Sequence, residues 1–318
     1  MDSSHVVLSQ NNFFINIFDL SFRILNTDLA FSIFESYIKA LMFNECEKII
    51  KEEAPDIIVS IHPIVSIVIK AFKEKNAKFK SVVIVSDLVT LFRGWADTAA
   101  DLIIAPTTES VNNLIKFGVD IKKIVYPLFP INPNLKNFRK KEEILKELGL
   151  TNNLPIITLT SGGVGGKALI KAVEHLSENP NLQLVIITGK LESLKITLEE
   201  RFRSNKIKIL GYVNNIQDYF SIADVIIGKP GPATILEMEL FEKKAILIKP
   251  IGEQEKGNVG YALKESNFKY LGNDWSKLNE TVQELLNIPT SIKNENYLPR
   301  RDFNESKKIV DKIISLLS

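Results

Sequence analysis

Short, continuous apolar runs alternate with stretches of three-and-four spacing along most of the chain. Such runs stand at 57–61, 81–85, 102–105, 156–160, 183–188, 207–210, 225–227 and 245–248. A run without polar alternation fits a strand covered on both faces, as parallel strands between helices are. The first fifty residues differ. Large apolar residues recur there at helical steps, as in Phe14-Ile17-Phe18 and Phe34-Tyr37-Leu41, which predicts helices. Their apolar residues either pack on a sheet or face lipid. Further helices are expected up to about 75, at 108–117 with Thr107 or Thr108 as cap, at 139–148 with Gly149 as stop, and at 167–177. Others are expected up to about 203, at 275–288 and at 304–317. The pattern is that of an α/β protein with parallel sheets.

Pro127, Pro130 and Pro133 fall within seven residues and forbid regular helix or central strand there. They divide the chain into an expected first domain, 1–135, and a second, 136–318, whose last helix packs back on the first. Residues 224–261 organise the second domain. A buried strand breaks at Gly228-Lys229-Pro230-Gly231-Pro232, and a helix carrying Thr234 and Glu237 follows. Such a turn exposes backbone N–H groups ahead of a helix N-terminus, which attracts anions. The strand at 245–248 then leads to a polar loop expected over 252–258, with Gln254, Glu255 and Asn258. Ser161-Gly162-Gly163-Val164-Gly165-Gly166 forms another strand-to-helix turn, neither G-x-G-x-x-G nor a Walker loop, which disfavours NAD and P-loop chemistry.

Composition narrows the classes. Apolar residues make up 45% and charged residues 25% of the 318, as in ordinary globular proteins. A net charge of +2 gives no argument for nucleic acid. One cysteine, Cys46, excludes a disulfide framework, and His5, His62 and His175 lack metal-ligand spacing. No signal peptide is visible, and the longest apolar stretch, 57–72, is too short and interrupted to span a bilayer. Membrane contact is therefore expected to be peripheral. A basic run at Lys70, Lys73, Lys75, Lys78 and Lys80 suits either an anionic membrane surface or a solvated helix end.

The order G-K-P-G-P-A-T-I-L-E, strand, G-E-Q-E-K-G-N resembles the donor-sugar site of glycosyltransferases related to the monogalactosyldiacylglycerol synthases and, more distantly, to MurG. The resemblance implies two Rossmann-like domains facing a cleft, the GT-B architecture. It implies a UDP-sugar as donor substrate, a lipid acceptor such as diacylglycerol, no separate cofactor and no obligatory metal. Glu237 then corresponds to the acid on the ribose hydroxyls. Gly189 and Val213 lie near the uracil. Gly162, Gly163, Gly231 and Thr234 lie near the diphosphate, and Gln254, Glu255 and Asn258 near the hexose or phosphates. His62, in Ser60-Ile61-His62-Pro63, and Asp87, in Ser86-Asp87-Leu88, match family strand ends and are the candidates for the base; His62 equally suits a structural role in its turn. The family's opening strand and T-G-G-G-H loop are not found, so the first domain is expected to be shortened. A catalytically inactive UDP-sugar-binding relative and a UDP-sugar epimerase are the alternatives. A location at the cytoplasmic face of the cell membrane is expected, and the oligomeric state is not encoded.

Overall fold

The computed structural model describes residues 12–160, 166–248, 250, 252–289 and 301–318. They form two compact units, one of 13–131, 252–257 and 304–318, the other mainly of 132–251 and 258–303.

The first unit opens with α1 (Asn12–Leu25) and α2 (Asp28–Glu53). β1 (Ile57–Ser60), α3 (Pro63–Glu74), β2 (Lys80–Ile84), β3 (Leu102–Ile104), α4 (Thr108–Lys116) and β4 (Ile124–Val125) follow. The four strands are parallel, in the order β1-β2-β3-β4. Val83 and Val85 point to the face that α2 and α3 cover through Phe31, Ile38, Ile67 and Phe72. Phe22, Phe31 and Phe34 gather around Phe92 at 5.9–6.0 Å between ring centroids. So one stripe of α2 packs on the sheet. The other stripe, Leu29, Ile33, Tyr37 and Leu41, is exposed.

The second unit comprises α5 (Lys141–Leu148), β5 (Ile156–Thr160), α6 (Gly166–Ser177), β6 (Gln183–Ile187), α7 (Glu192–Arg201) and β7 (Ile207–Leu210). It continues with α8 (Ile216–Ile222), β8 (Val225–Gly228), α9 (Pro232–Leu240), β9 (Lys244–Ile248), α10 (Glu253–Ala262), β10 (Phe268–Gly272) and α11 (Leu278–Asn287). Its six strands are parallel in the order β10-β9-β8-β5-β6-β7. The chain winds outward from β5 through β6 to β7, then returns to β8 beside β5 and winds the other way. The switch between β5 and β8 leaves a crevice at their carboxyl ends, where open α/β sheets bind ligands.

The last helix, α12 (Glu305–Ile314), belongs with the first unit. Its Ile309 packs on Val82, Ile84, Leu102, Ile104 and Leu128, the sheet face opposite α2. Glu305 Oε2 accepts from the Phe129 amide at 2.8 Å.

Three elements depart from the sequence reading. Residues 253–262 are a helix, not a polar loop: Asn258, Tyr261 and Ala262 are buried on it, but Gly252 and Gly257 hide the period. β10 is a sheet edge whose central Lys269 and Tyr270 are less buried than Phe268 and Leu271, so no continuous apolar run marks it. β4 is two residues long and ends before Pro127.

Candidate functional site

The switch point assembles from two strand ends. After β5 the chain passes through 161–165, so Gly162 and Gly163 lie outside the described residues. After β8 it passes through Lys229-Pro230-Gly231 into α9. Gly228 sits where a side chain would crowd the site: a Cβ there would come within 3.2 Å of Met238 Cε and 3.3 Å of Thr160 Cγ2. The Gly231 amide donates to Lys229 O at 2.8 Å, closing the turn. Gly231 is the N-cap of α9 and Pro232 its first residue, and no side chain caps the helix. Proline contributes no N–H, and the first helical bond runs from Ile235 N to Gly231 O. The amides of Ala233 and Thr234 therefore precede the helical ladder and, with the helix dipole, suit an anion.

Glu237 stands one turn further on. It is half-buried, and burial alone pushes its carboxyl up to about 7. A carboxylate held this way gains more than an exposed one from two hydroxyl donors, because they replace solvation it has already lost. Asn258 on α10 is 1% exposed. Its Nδ2 donates to Pro230 O at 3.0 Å, tying α10 to the turn before α9, while its Oδ1 is buried without a partner. Glu255 is buried and Gln254 half-buried. Both belong to the turn of α10 that groups with the first unit, whereas Asn258 groups with the second.

Gly189 and Val213 follow β6 and β7 at the same carboxyl edge. Gly189 has φ +62°, a conformation that favours glycine. Val213 is half-buried beside the Val185 and Ile187 cluster. The Lys190 ammonium lies 5.3 Å from the centroid of the exposed Tyr212 ring. Thus Gly231, Thr234, Glu237 and Asn258 meet around one turn, and Gly189 and Val213 share its sheet edge.

In the first unit, His62 and Asp87 follow the neighbouring strands β1 and β2. His62 is the N-cap of α3: its Nδ1 accepts from the Ile64 amide at 3.3 Å. Ser60 Oγ lies 2.8 Å from Ser66 Oγ and bonds His62 O, completing that turn. A neutral His62 in this pose carries its proton on Nε2 and offers a donor, not a basic lone pair. Asp87 has its pKa raised by burial, against the opposing effects of the Trp95 indole and His62. Trp95 Nε1 donates to Asp87 Oδ2 at 2.7 Å. This indole contact is a detail of the candidate site that the sequence did not signal, since no periodicity links Asp87 to Trp95 eight residues on. Trp95 is buried. The basic run is largely occupied too. Lys70 pairs with Glu35, Lys73 and Lys80 with Asp101, and Lys75 lies over the Phe43 ring.

Two family models match the sequence. Residues 5–128 match the monogalactosyldiacylglycerol (MGDG) synthase model, and 156–311 match the glycosyltransferase family 28 C-terminal domain. The chain belongs to this glycosyltransferase family. The family-28 chain is 30% identical over 246 residues to monogalactosyldiacylglycerol synthase 3 of Arabidopsis thaliana, covering 73% of this chain and 53% of the relative. It is 26% identical over 242 residues to the processive diacylglycerol beta-glucosyltransferase of Bacillus subtilis, covering 75% and 63%. The chain spans about half the length of the curated plant relatives it matches. Among solved structures, S. aureus MnaA with UDP superposes with a TM-score of 0.64 at 16% identity, covering 89% of this chain and 82% of that one. MurG of Acinetobacter baumannii gives 0.61 at 15%, covering 84% and 76%. At these identities the structures establish the fold alone.

Proposed function

We propose that the chain transfers a hexose from a UDP-sugar to a lipid hydroxyl, diacylglycerol being the class acted on by the relatives' named activities. The observation that carries the reading is Glu237, half-buried one turn inside a helix whose uncapped N-terminus closes a sheet switch point. That arrangement offers the three contacts a nucleoside diphosphate needs. The amides of Ala233 and Thr234, past the turn closed at Gly231, and the helix dipole take the diphosphate charge. Glu237 takes a vicinal diol by two charge-assisted bonds. The strand ends at Gly189 and Val213 offer backbone groups to the base, and Asn258, with Gly162 and Gly163, completes the second unit's donor set.

Glycosyl transfer also needs a base for the acceptor hydroxyl. Asp87 suits that role better than His62, because His62 uses its Nδ1 lone pair to cap α3. Charge on the departing diphosphate is met by fixed amides, so turnover without a divalent metal is part of the proposal. Attachment is proposed to be peripheral, at the cytoplasmic membrane face. Among the described residues no helix is long and apolar enough to cross a membrane.

One observation favours a second reading, donor binding without transfer: His62 spends its Nδ1 lone pair on the cap, which leaves only Asp87 of the two base candidates named. The deciding experiment incubates the protein with UDP-galactose or UDP-glucose and vesicles containing diacylglycerol, with and without EDTA. Glycolipid formed in both conditions supports metal-free transfer. UDP-sugar binding with no glycolipid supports the second reading.

A further inference from the structure

Arg301 lies outside every motif that marks the donor site, yet its side chain is only 1% exposed. Its Nη2 donates to the Tyr261 hydroxyl at 3.2 Å. Its Nε stands 3.5 Å from Glu239 Oε2, an acid that is itself 9% exposed. Glu239 is two residues past Glu237 on α9, so at about 100° per residue the two carboxylates leave the helix on opposite sides. Tyr261 is three residues past Asn258 on α10. The two helices are therefore joined twice. Asn258 holds the Pro230 carbonyl at the ligand turn, and Arg301 joins Glu239 to Tyr261 further along both helices. Phe303 reinforces the second tie, meeting Phe241 edge-on at 5.8 Å and 87°. Phe241 is the C-cap of α9.

A buried ion pair is a poor device for stability, since desolvation consumes most of its Coulomb gain and an apolar pair of similar volume often does as well. Its better-attested use is to fix one geometry among several. We propose that Arg301 is a positioning residue for the nucleotide-sugar site, bridging Glu239 and Tyr261 so that the helices carrying Glu237 and Asn258 keep one spacing. The inference rests on the donor-site reading above. It assigns a role to a residue some forty positions beyond the last donor motif.

The test uses the full chain and three variants: Arg301→Met with Glu239→Met, Arg301→Lys, and Tyr261→Phe. UDP affinity is read by calorimetry, melting by calorimetric scan, and local opening by hydrogen exchange at 232–241 and 258–262 without ligand. The double variant is expected to melt near wild type while UDP dissociation rises about tenfold, equivalent to about 1.4 kcal/mol. Exchange should accelerate in α9 and α10 and not elsewhere. Arg301→Lys keeps the charge but not the fork, so its affinity should fall between the two. Tyr261→Phe removes one hydroxyl and should weaken UDP about threefold; it decides the matter if the double variant does not fold. UDP affinity within twofold of wild type in Tyr261→Phe and in a folded double variant would overturn the proposal, as would exchange that rises evenly across the second unit. A wild type that does not bind UDP removes the donor-site reading and the proposal's functional half together. The ligand-free exchange pattern then still decides whether Arg301 sets the helix spacing.

Discussion

Glu237 makes the account testable by pH. Burial raises its carboxyl from 4.5 to about 7, so the folded protein retains a proton that the unfolded chain releases. The associated stabilisation is complete below pH 4.5 and is lost as pH climbs through 7. Glu237→Gln should therefore match wild type in melting temperature near pH 4.5 and exceed it near pH 8, as scanning calorimetry can show. Ligand binding should move the opposite way. A diol-binding carboxylate must be ionised, so UDP affinity should improve from pH 6 to pH 8 more steeply in wild type than in the glutamine variant, where only the terminal phosphate of UDP titrates. At the other site, Asp87→Asn should leave UDP affinity unchanged and abolish transfer. Trp95→Phe should lower kcat with little change in KM for the UDP-sugar. Equal loss of binding in either variant would show a folding defect instead of a lost base.

At the scale of elements, turn chemistry explains what was legible in the sequence. The break at 228–232 and the stop at Gly149 were readable because glycine and proline act locally. Gly149 ends α5 at φ +59°, and its amide bonds Leu145 O and Lys146 O. Gly149→Ala should cost about 1 kcal/mol of stability without touching UDP affinity, measured by denaturant melts and calorimetry on one sample. Gly228→Ala is the contrasting case. Its Cβ would press on Met238 and Thr160, so overpacking of about 1–3 kcal/mol should come with weaker UDP binding. The helix at 253–262 was not readable, because what holds it is tertiary: the Asn258 bond to Pro230 and the burial of Tyr261. The strand β10 escaped for a related reason, since at this sheet edge Lys269 and Tyr270 interrupt the apolar run that marks most other strands.

Across the whole molecule, the succession of apolar runs and helices was enough to indicate parallel α/β sheets. It does not encode the contacts by which residues 304–318, the helix expected to return to the first domain, fold with the first unit. That association is carried by Ile309 against Val82, Ile84, Leu102, Ile104 and Leu128, contacts far apart in sequence that no local pattern encodes. Ile309→Ala should destabilise by about 2–5 kcal/mol while leaving UDP affinity intact, since the donor contacts lie in the second unit's sheet. The same distinction explains the site. Gly231, Thr234 and Glu237 are close in sequence and were recognisable together, whereas the Trp95–Asp87 bond and the Arg301 bridge arise only from folding. The most direct test of the central claim is calorimetric titration of UDP into wild type and Glu237→Ala, with circular dichroism to confirm that both are folded. The account predicts saturable one-to-one binding by wild type and at least tenfold weaker binding by the variant, a difference of about 1.4 kcal/mol or more. Equal binding by both, or none by a folded wild type, would contradict it.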